Sequence, residues 1–359
     1  MMPTRPRWTW LARFAGTIAA GALMVYVAFR LDEGDIPMYT RMGLAAIVAV
    51  GLSLLMGFAG QISLGQGAFY ALGAYTTGIL SVGLRPDDRL VDPEAPWDPL
   101  MALAAAPILT ALVAAVVGVP LLRLRGHYLA FATLALHLIL LAALFAEDRF
   151  TGGQDPGLVG IPQLEVRGHV IEQARLAAVV WGVVALSVIM AVNLVGSRAG
   201  RALQAIATSE ATAAAAGINV AMYKLRLFVL AAGLAGLAGG FFAYYLLFLS
   251  PDAFPLITSI TFVVMVAVGG MGSVYGAVVG AIAITYLEDK LRELGTREQL
   301  LGFDLPVQAP QVFSIGVFGA ILIVVMLFAP RGLLPALQAA AAAVVGRVRR
   351  RAQAAPDAA

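Results

Sequence analysis

The sequence contains no cysteine among its 359 residues, so disulfides, thiolate metal sites and cysteine nucleophiles are excluded. Its two lysines, Lys224 and Lys290, follow tyrosine and aspartate. A phosphate-binding loop places its lysine between a glycine and a serine or threonine, so the chain has no ATPase motif of its own. The histidines, at 127, 137 and 169, are too dispersed to indicate a metal site.

Charge is also scarce. Only 13% of the residues are charged and 60% are hydrophobic, whereas soluble domains carry about 25% charged residues. This deficit indicates an integral membrane protein. Neither aspartate nor glutamate lies well inside any long apolar run, although ion-coupled transporters usually keep such groups in the membrane. The sequence therefore argues against an ion-coupled carrier and, lacking a carboxylate pair or a histidine cluster, against a membrane enzyme.

The apolar runs predict an all-α polytopic membrane protein with about ten transmembrane helices, some of them short or broken by glycine. The predicted spans are 14–29, 38–58, 68–82, 100–122, 127–146, 176–196, 227–249, 257–268, 274–287 and 312–328. They divide the chain into a basic N-terminus (1–13), a permease domain (14–330) and an arginine-rich C-terminal tail (331–359).

The distribution of charge predicts the orientation. With both termini in the cytoplasm, the cytoplasmic segments hold 14 of the 24 lysines and arginines but only two of the 21 acidic residues, as the positive-inside rule requires. If 254–290 were one tilted span instead of two, the C-terminus would lie outside. We interpret His137, the one titratable group deep in a predicted span, as a hydrogen-bonded packing residue without chemistry.

A glycine- and glutamine-rich block separates the second and third spans. Glycine at this density disfavours a continuous helix, and irregular backbone at membrane depth is tolerated only where protein or a water-filled cavity covers it. Broken helices of this kind often bind the solute in transporters. The candidate path residues are Gly60, Gln61, Ser63, Gly65, Gln66 and Gly67. The alternative is a tight turn, or close packing of helices at the glycines.

Glycines also recur in two later regions. Gly236 and Gly240 have the spacing that lets a neighbouring helix approach closely. Gly269, Gly270 and Gly272 lie between two short apolar runs, where we expect a hinge.

The segment 197–224 is helical in propensity but too polar to cross a bilayer. Its basic residues predict a cytoplasmic location between two spans. A helical element tethered at both ends to membrane helices suits docking of a soluble ATPase. The alternative is a surface helix that merely joins two spans. The candidate docking residues are Arg201, Ser209, Glu210, Gly217 and Asn219.

Six blocks in order resemble the LivM-type permeases of branched-chain amino-acid ABC importers. They are 51–75, 122–136, 151–162, 200–225, 269–281 and 318–334. The resemblance implies a permease of the inner (cytoplasmic) membrane that pairs with a LivH-like second permease, two ATPase subunits and a periplasmic or lipid-anchored solute-binding protein. ATP and magnesium would be used by the partner subunits, so this chain would need no cofactor, and its remaining contacts would be membrane lipids and not nucleic acid.

The resemblance also carries residue-level expectations. Segment 197–224 would contact the ATPases, with Glu210 and Gly217 at the family's recurrent acidic and glycine positions. The chain departs from the family where His137 and Leu138 stand at positions that often include an acidic residue, and in block 151–162, which is one residue longer. Branched-chain or other neutral amino acids are the expected solute, with urea or short amides as the alternative.

Overall fold

A computed structural model describes most of the chain. The described residues are 7–83, 97–124, 126–146, 151–152, 157–166, 168–295, 299–300, 303–304, 319–320, 323, 327 and 332–334. Their side chains are described where the residue lies between 15 and 293 or from 319 onward. Apart from two short hairpins and a 3-10 turn at Pro251–Ala253, the ordered elements are α-helices.

Eleven helices make up the described part of the chain. They are α1 (Arg7–Ala28), α2 (Ile36–Phe58), α3 (Gln66–Val82), α4 (Pro99–Leu121), α5 (His127–Ala146), α6 (Gln173–Gly196), α7 (Arg198–Thr208), α8 (Glu210–Ala215), α9 (Val220–Leu246), α10 (Leu256–Gly269) and α11 (Val274–Gly295). Strand β1 (Glu165–Val166) pairs antiparallel with β2 (His169–Val170), and β3 (Gln299–Leu300) with β4 (Phe303–Asp304).

The core is built around α2 and α9. The apolar stretch of α2 is 83% buried and that of α9 72% buried, whereas only 28% of each corresponding stretch in α4 and α5 is buried. Helix α2 packs against α6, α9, α10 and α11, and α9 also packs against α3 and α4. The exposed faces of α4 and α5 are rich in leucine, isoleucine and phenylalanine, as expected for helices that face lipid.

Close packing in this core depends on small residues. A Cβ built on Gly239 of α9 would lie 1.9 Å from the carbonyl oxygen of Tyr70 in α3, and one on Gly73 would lie 2.0 Å from that of Gly236. Two backbones that approach this closely leave no room for a side chain between them. The first helix of the pair, α3, is therefore held tightly along α9.

Six helices are long and apolar enough to cross a membrane: α2, α4, α5, α6, α9, and α10 together with the turn before it. Helices α1, α3 and α11 coincide with three further predicted spans. The region 254–290, which the sequence left open, forms two helices joined by a turn in which Gly270 (φ 115°) and Gly272 (φ 90°) adopt backbone conformations that favour glycine. The predicted span 312–328 and the tail 331–359 lie largely outside the described residues.

Candidate functional site

The glycine- and glutamine-rich block forms a break between α2 and α3. Residues 59–65 are not helical. Helix α2 ends at Phe58, Gly60 turns the chain with a φ of 63°, and the amide of Gln61 donates to the carbonyl of Leu55 at 3.0 Å. We refer to residues 59–65 as the break.

The break leads into the middle of the helical bundle. The amide of Leu64 donates to the hydroxyl of Thr133 at 2.9 Å, and the amide of Gly67 lies one residue inside α3 beside His137. His137 is ten residues from the start of α5, so it is about 15 Å along a helix about 30 Å long. If α5 crosses a bilayer whose hydrocarbon core is about 30 Å thick, α3 begins near the midplane.

A second helix begins at the same depth. The amide of Gly67 donates to the hydroxyl of Ser259, the fourth residue of α10, at 2.8 Å. The ring of His137 contacts the same hydroxyl through Nδ1 at 2.8 Å and the carbonyl oxygen of Phe254 through Nε2 at 3.1 Å. Since a carbonyl only accepts, Nε2 carries the proton and the hydroxyl of Ser259 donates to Nδ1. His137 is therefore a hydrogen-bonded residue, as the sequence predicted, but it joins two helix starts.

Helices α3 and α10 run from this junction towards opposite ends of the bundle. Helix α3 ends where the hydroxyl of Ser81 meets that of Tyr244, close to the end of α9, at 2.6 Å. Helix α10 ends at the turn whose Gly272 packs against Gly57 in the last turn of α2. The first turns of the two helices therefore lie side by side, and each amino terminus carries about half a positive charge from its macrodipole.

Three polar side chains of the block are buried without hydrogen bonds. Gln61 is 3% exposed, Ser63 2% and Gln66 0%. Within the described part of the chain, the amide nitrogen and oxygen of both glutamines and the hydroxyl of Ser63 have no partner. An unsatisfied buried group of this kind costs about 1–3 kcal/mol, and native proteins keep few of them.

The glycines of the block lie against other helices. A Cβ on Gly65 would lie 2.9 Å from the carbonyl oxygen of Thr133, and one on Gly67 would lie 2.6 Å from Cε1 of His137. Both predicted features, a helix break and close glycine packing, therefore occur at one place.

The later glycines are equally confined. A Cβ on Gly236 would lie 2.3 Å from Oγ1 of Thr110, one on Gly240 would lie 2.7 Å from that of Thr77, and one on Gly269 would lie 2.0 Å from the carbonyl oxygen of Gly276. These contacts join α9 to α3 and α4, and α10 to α11.

Segment 197–224 contains α7, α8 and the first turns of α9, and each of these helices has a side-chain cap. The hydroxyl of Ser197 accepts from the amides of Ala199 and Gly200, that of Ser209 accepts from Thr212, and Oδ1 of Asn219 accepts from Met222. Gly217 (φ 82°) ends α8 in the left-handed conformation. The caps replace hydrogen bonds that helix ends otherwise lack.

An ion pair ties this segment to the membrane helices. The ammonium group of Lys224 in α9 contacts the carboxylate of Glu210 in α8; the two side chains are 9% and 41% exposed. Leu203 and Ile206 bury one face of α7, whereas Arg201 is exposed. Ala207 of α7 lies beside Gly60, where a Cβ would be 3.8 Å from its Cα. The exposed segment therefore lies beside the break.

The sequence reasoning missed the partners of the block. Thr133, Phe254 and Ser259 were not singled out, because each is an ordinary residue of an apolar run and only the tertiary fold brings it to α3. The short polar stretch of Thr258, Ser259 and Thr261 in an apolar helix is a local signal that could have pointed there.

A bundle of long apolar helices with a polar break at mid-depth defines a multi-pass membrane protein. A family model described as branched-chain amino acid transport system / permease component matches residues 36–326, so the chain belongs to this family of transporter permease components.

Two relatives are similar along most of their length. The high-affinity branched-chain amino acid transport system permease protein LivM of Escherichia coli K12 is 28% identical over 343 residues, covering 89% of this chain and 74% of that protein. The LivM of Salmonella typhimurium LT2 is 27% identical over 340 residues, covering 87% and 73%. No solved structure matches the chain.

Proposed function

We propose that this chain is a permease subunit of an ATP-binding-cassette importer for branched-chain or other neutral amino acids. It would lie in the inner membrane with ten transmembrane helices and both termini in the cytoplasm, and permease domain 14–330 would carry the path. The observation that carries the proposal is the family match over 36–326, which includes both the break and segment 197–224.

The proposed partners follow from the same assignment. A LivH-like permease would complete the path, two ATPase subunits would hydrolyse ATP with magnesium, and a solute-binding protein would deliver the amino acid. Segment 197–224 would dock the ATPases through Arg201, Ser209, Glu210, Gly217 and Asn219 and their exposed neighbours, with the tail 331–359 and residues 1–13 on the same side.

The contact between α7 and the break supports a mechanism. Movement of the ATPases would displace the capped helices α7 and α8 as a unit, because Glu210 and Lys224 hold α8 to α9. Ala207 would pass this displacement to Gly60 and hence to the break. Opening of the break towards one side and then the other would give alternating access without chemistry in this chain.

Reconstitution tests the proposal. Proteoliposomes that contain this chain, the second permease, both ATPases and the binding protein should accumulate leucine only when ATP is supplied. Omitting the ATPases should abolish uptake, and omitting a proton or sodium gradient should leave it unchanged. Gradient-driven uptake by the isolated chain would instead identify an ion-coupled secondary carrier or a channel. Uptake of urea or acetamide without leucine would identify the alternative solute class.

A deletion tests the docking role separately. Removing 205–216 eliminates the end of α7 and all of α8 but leaves the apolar helices intact. We expect the variant to insert in the membrane and to lose co-purification with the ATPases. Retained ATPase association would contradict the assignment of 197–224 as the docking segment.

A further inference from the structure

We propose that the junction of the α3 and α10 amino termini, with Gln61, Ser63 and Gln66, forms a mid-membrane site for the carboxylate of the transported solute. The inference rests on the proposed transport function and adds to it the chemical group that the path recognises.

The electrostatics of the junction favour an anion. Two helices begin within hydrogen-bond distance of each other, since the amide of Gly67 in α3 donates to Ser259 in α10. The amino-terminal turns of both helices, which carry the positive ends of their macrodipoles, thus lie side by side in a medium of low dielectric constant, where their effect is screened little. A carboxylate is stabilised at such a place, as anions are at helix amino termini in general.

The unsatisfied side chains provide a second, independent indication of a ligand. Gln66 is the first residue of α3, and helical side chains lean back towards the amino terminus of their helix, so we expect its amide on the break side of α3. It is completely buried, and neither atom of its amide has a partner among the described residues. Gln61 and Ser63 repeat this pattern in the adjoining break. Together they supply donors that a carboxylate requires.

The occupant must be small. Five polar atoms of these three side chains are closed off from solvent by this chain alone. A neighbouring subunit that docks on the outside of the bundle does not reach atoms that are already covered. A small molecule that enters when the break opens would be able to satisfy them.

The chemistry distinguishes the two solute classes. The polar groups at the junction are amides, hydroxyls and the ring of His137, so no charged side chain among them repels a solute of zero net charge. The carboxylate of such a solute would in addition be stabilised by the macrodipoles of the two helix starts. Urea and short amides carry no anionic group and gain little from that field. The site thus favours a zwitterionic amino acid over an amide.

The absence of native cysteine provides the test. Two single variants, Gln66→Cys and Ser63→Cys, are made in the full chain and assembled with the other transporter subunits in membrane vesicles. Each is treated with a methanethiosulfonate reagent that is either anionic (sulfonatoethyl) or cationic (trimethylammonioethyl) and of similar size. Modification is measured as the mass shift of this chain. We expect both thiols to be unreactive at rest. With ATP, the anionic reagent should modify them at least about tenfold faster than the cationic one, as focused fields enrich a counter-ion. Leucine should slow this labelling, and leucinamide should not.

The control and the contrary outcomes are defined by the same experiment. The control is Ser53→Cys. Ser53 lies in the core of α2, where its hydroxyl is buried and donates to the carbonyl of Val50, so a thiol at this position should stay unreactive throughout. Equal or faster labelling by the cationic reagent, equal protection by leucinamide, or no labelling during turnover at either position would overturn the carboxylate site. Leucine uptake by the unsubstituted vesicles is measured in parallel. Its absence would count against the proposed function, whereas normal uptake with charge-indifferent labelling would count against the site alone.

Discussion

The glycine- and glutamine-rich block and segment 197–224 are both polar interruptions of an apolar chain, but their polar side chains are satisfied to opposite extents. In segment 197–224, three helices in succession are capped by Ser197, Ser209 and Asn219, and the buried ammonium group of Lys224 has a carboxylate partner. In the block 59–67, Gln61, Gln66 and Ser63 are buried without partners in the described structure.

This difference shows which of the two regions satisfies its own polar groups. A capped and ion-paired element is stable as a rigid body, which suits a part that transmits movement. A region with unsatisfied buried groups is stable only because the surrounding helices hold it, and strain of this kind is typical of functional sites. Substitutions in and around the two regions should therefore differ in kind, and four predictions test this, in order of decreasing expected effect.

The largest effect, a loss of ATP-driven uptake, is expected for Gly67→Ala. The new Cβ would lie 2.6 Å from the ring of His137 and 2.7 Å from Oγ of Ser259, so the junction of α3 and α10 has to separate. Overpacking typically costs about 1–3 kcal/mol, and we expect ATP-driven uptake to fall to background. Gly182→Ala in α6 is the matched control, because no atom lies within 4 Å of its Cβ. Near-normal uptake by the Gly67 variant would show that the junction is not part of the path.

The second-largest effect, a loss of stability, is expected for His137→Ala. The substitution leaves the carbonyl of Phe254 and the hydroxyl of Ser259 without the ring, at a cost of about 1–3 kcal/mol for buried groups. In a double-mutant cycle with Ser259→Ala, thermal unfolding in detergent should show a coupling of about 0.5–3 kcal/mol. Additive effects of the two substitutions would mean that the ring does not hold α5 to α10.

A smaller loss of stability is expected for Glu210→Gln in segment 197–224. It leaves the nearly buried Lys224 unpaired, so the loss of stability should exceed the about 0–1 kcal/mol of an exposed pair but stay below the about 3–5 kcal/mol of a fully buried one. Limited proteolysis of 197–224 should accelerate, and Lys224→Met in the same chain should restore resistance. The exposed pair of Lys290 and Glu293 provides the control, since Glu293→Gln should change little. Acceleration that the second substitution does not reverse would refute the ion-pair explanation.

Much of this comparison could be predicted from the sequence. Nine of the predicted spans coincide with helices, since apolar runs of this length are specified locally, and polarity and glycine density marked both the break and segment 197–224. The family match agrees with the resemblance of the six blocks. Helix boundaries were less accurate: α9 begins at Val220, seven residues before the predicted span, because Asn219 caps it.

The junction itself could not be predicted. Gly67 and Ser259 are 192 residues apart, and neither hydrogen-bonding partner is evident from its own surroundings in the chain. His137 was predicted to be hydrogen-bonded, but which helices it joins depends on how α3, α5 and α10 pack. Whether a buried glutamine has a partner is likewise a property of the tertiary structure and not of the residue.

The smallest expected effects are changes in thermal stability that differ in sign between the two regions, and they test the comparison most directly. Ser209→Ala removes the cap of α8 and should destabilise segment 197–224 by about 1 kcal/mol, as cap losses do. Ser63→Ala removes a buried hydroxyl that has no partner in the described structure, so it should leave thermal stability unchanged or raise it, while uptake of leucine falls. Unfolding midpoints and uptake measured on both variants give the answer. If Ser63→Ala destabilises the protein as much as Ser209→Ala does, its hydroxyl is satisfied in the folded protein. The contrast between a segment 197–224 that satisfies its own polar groups and a break that does not would then be wrong.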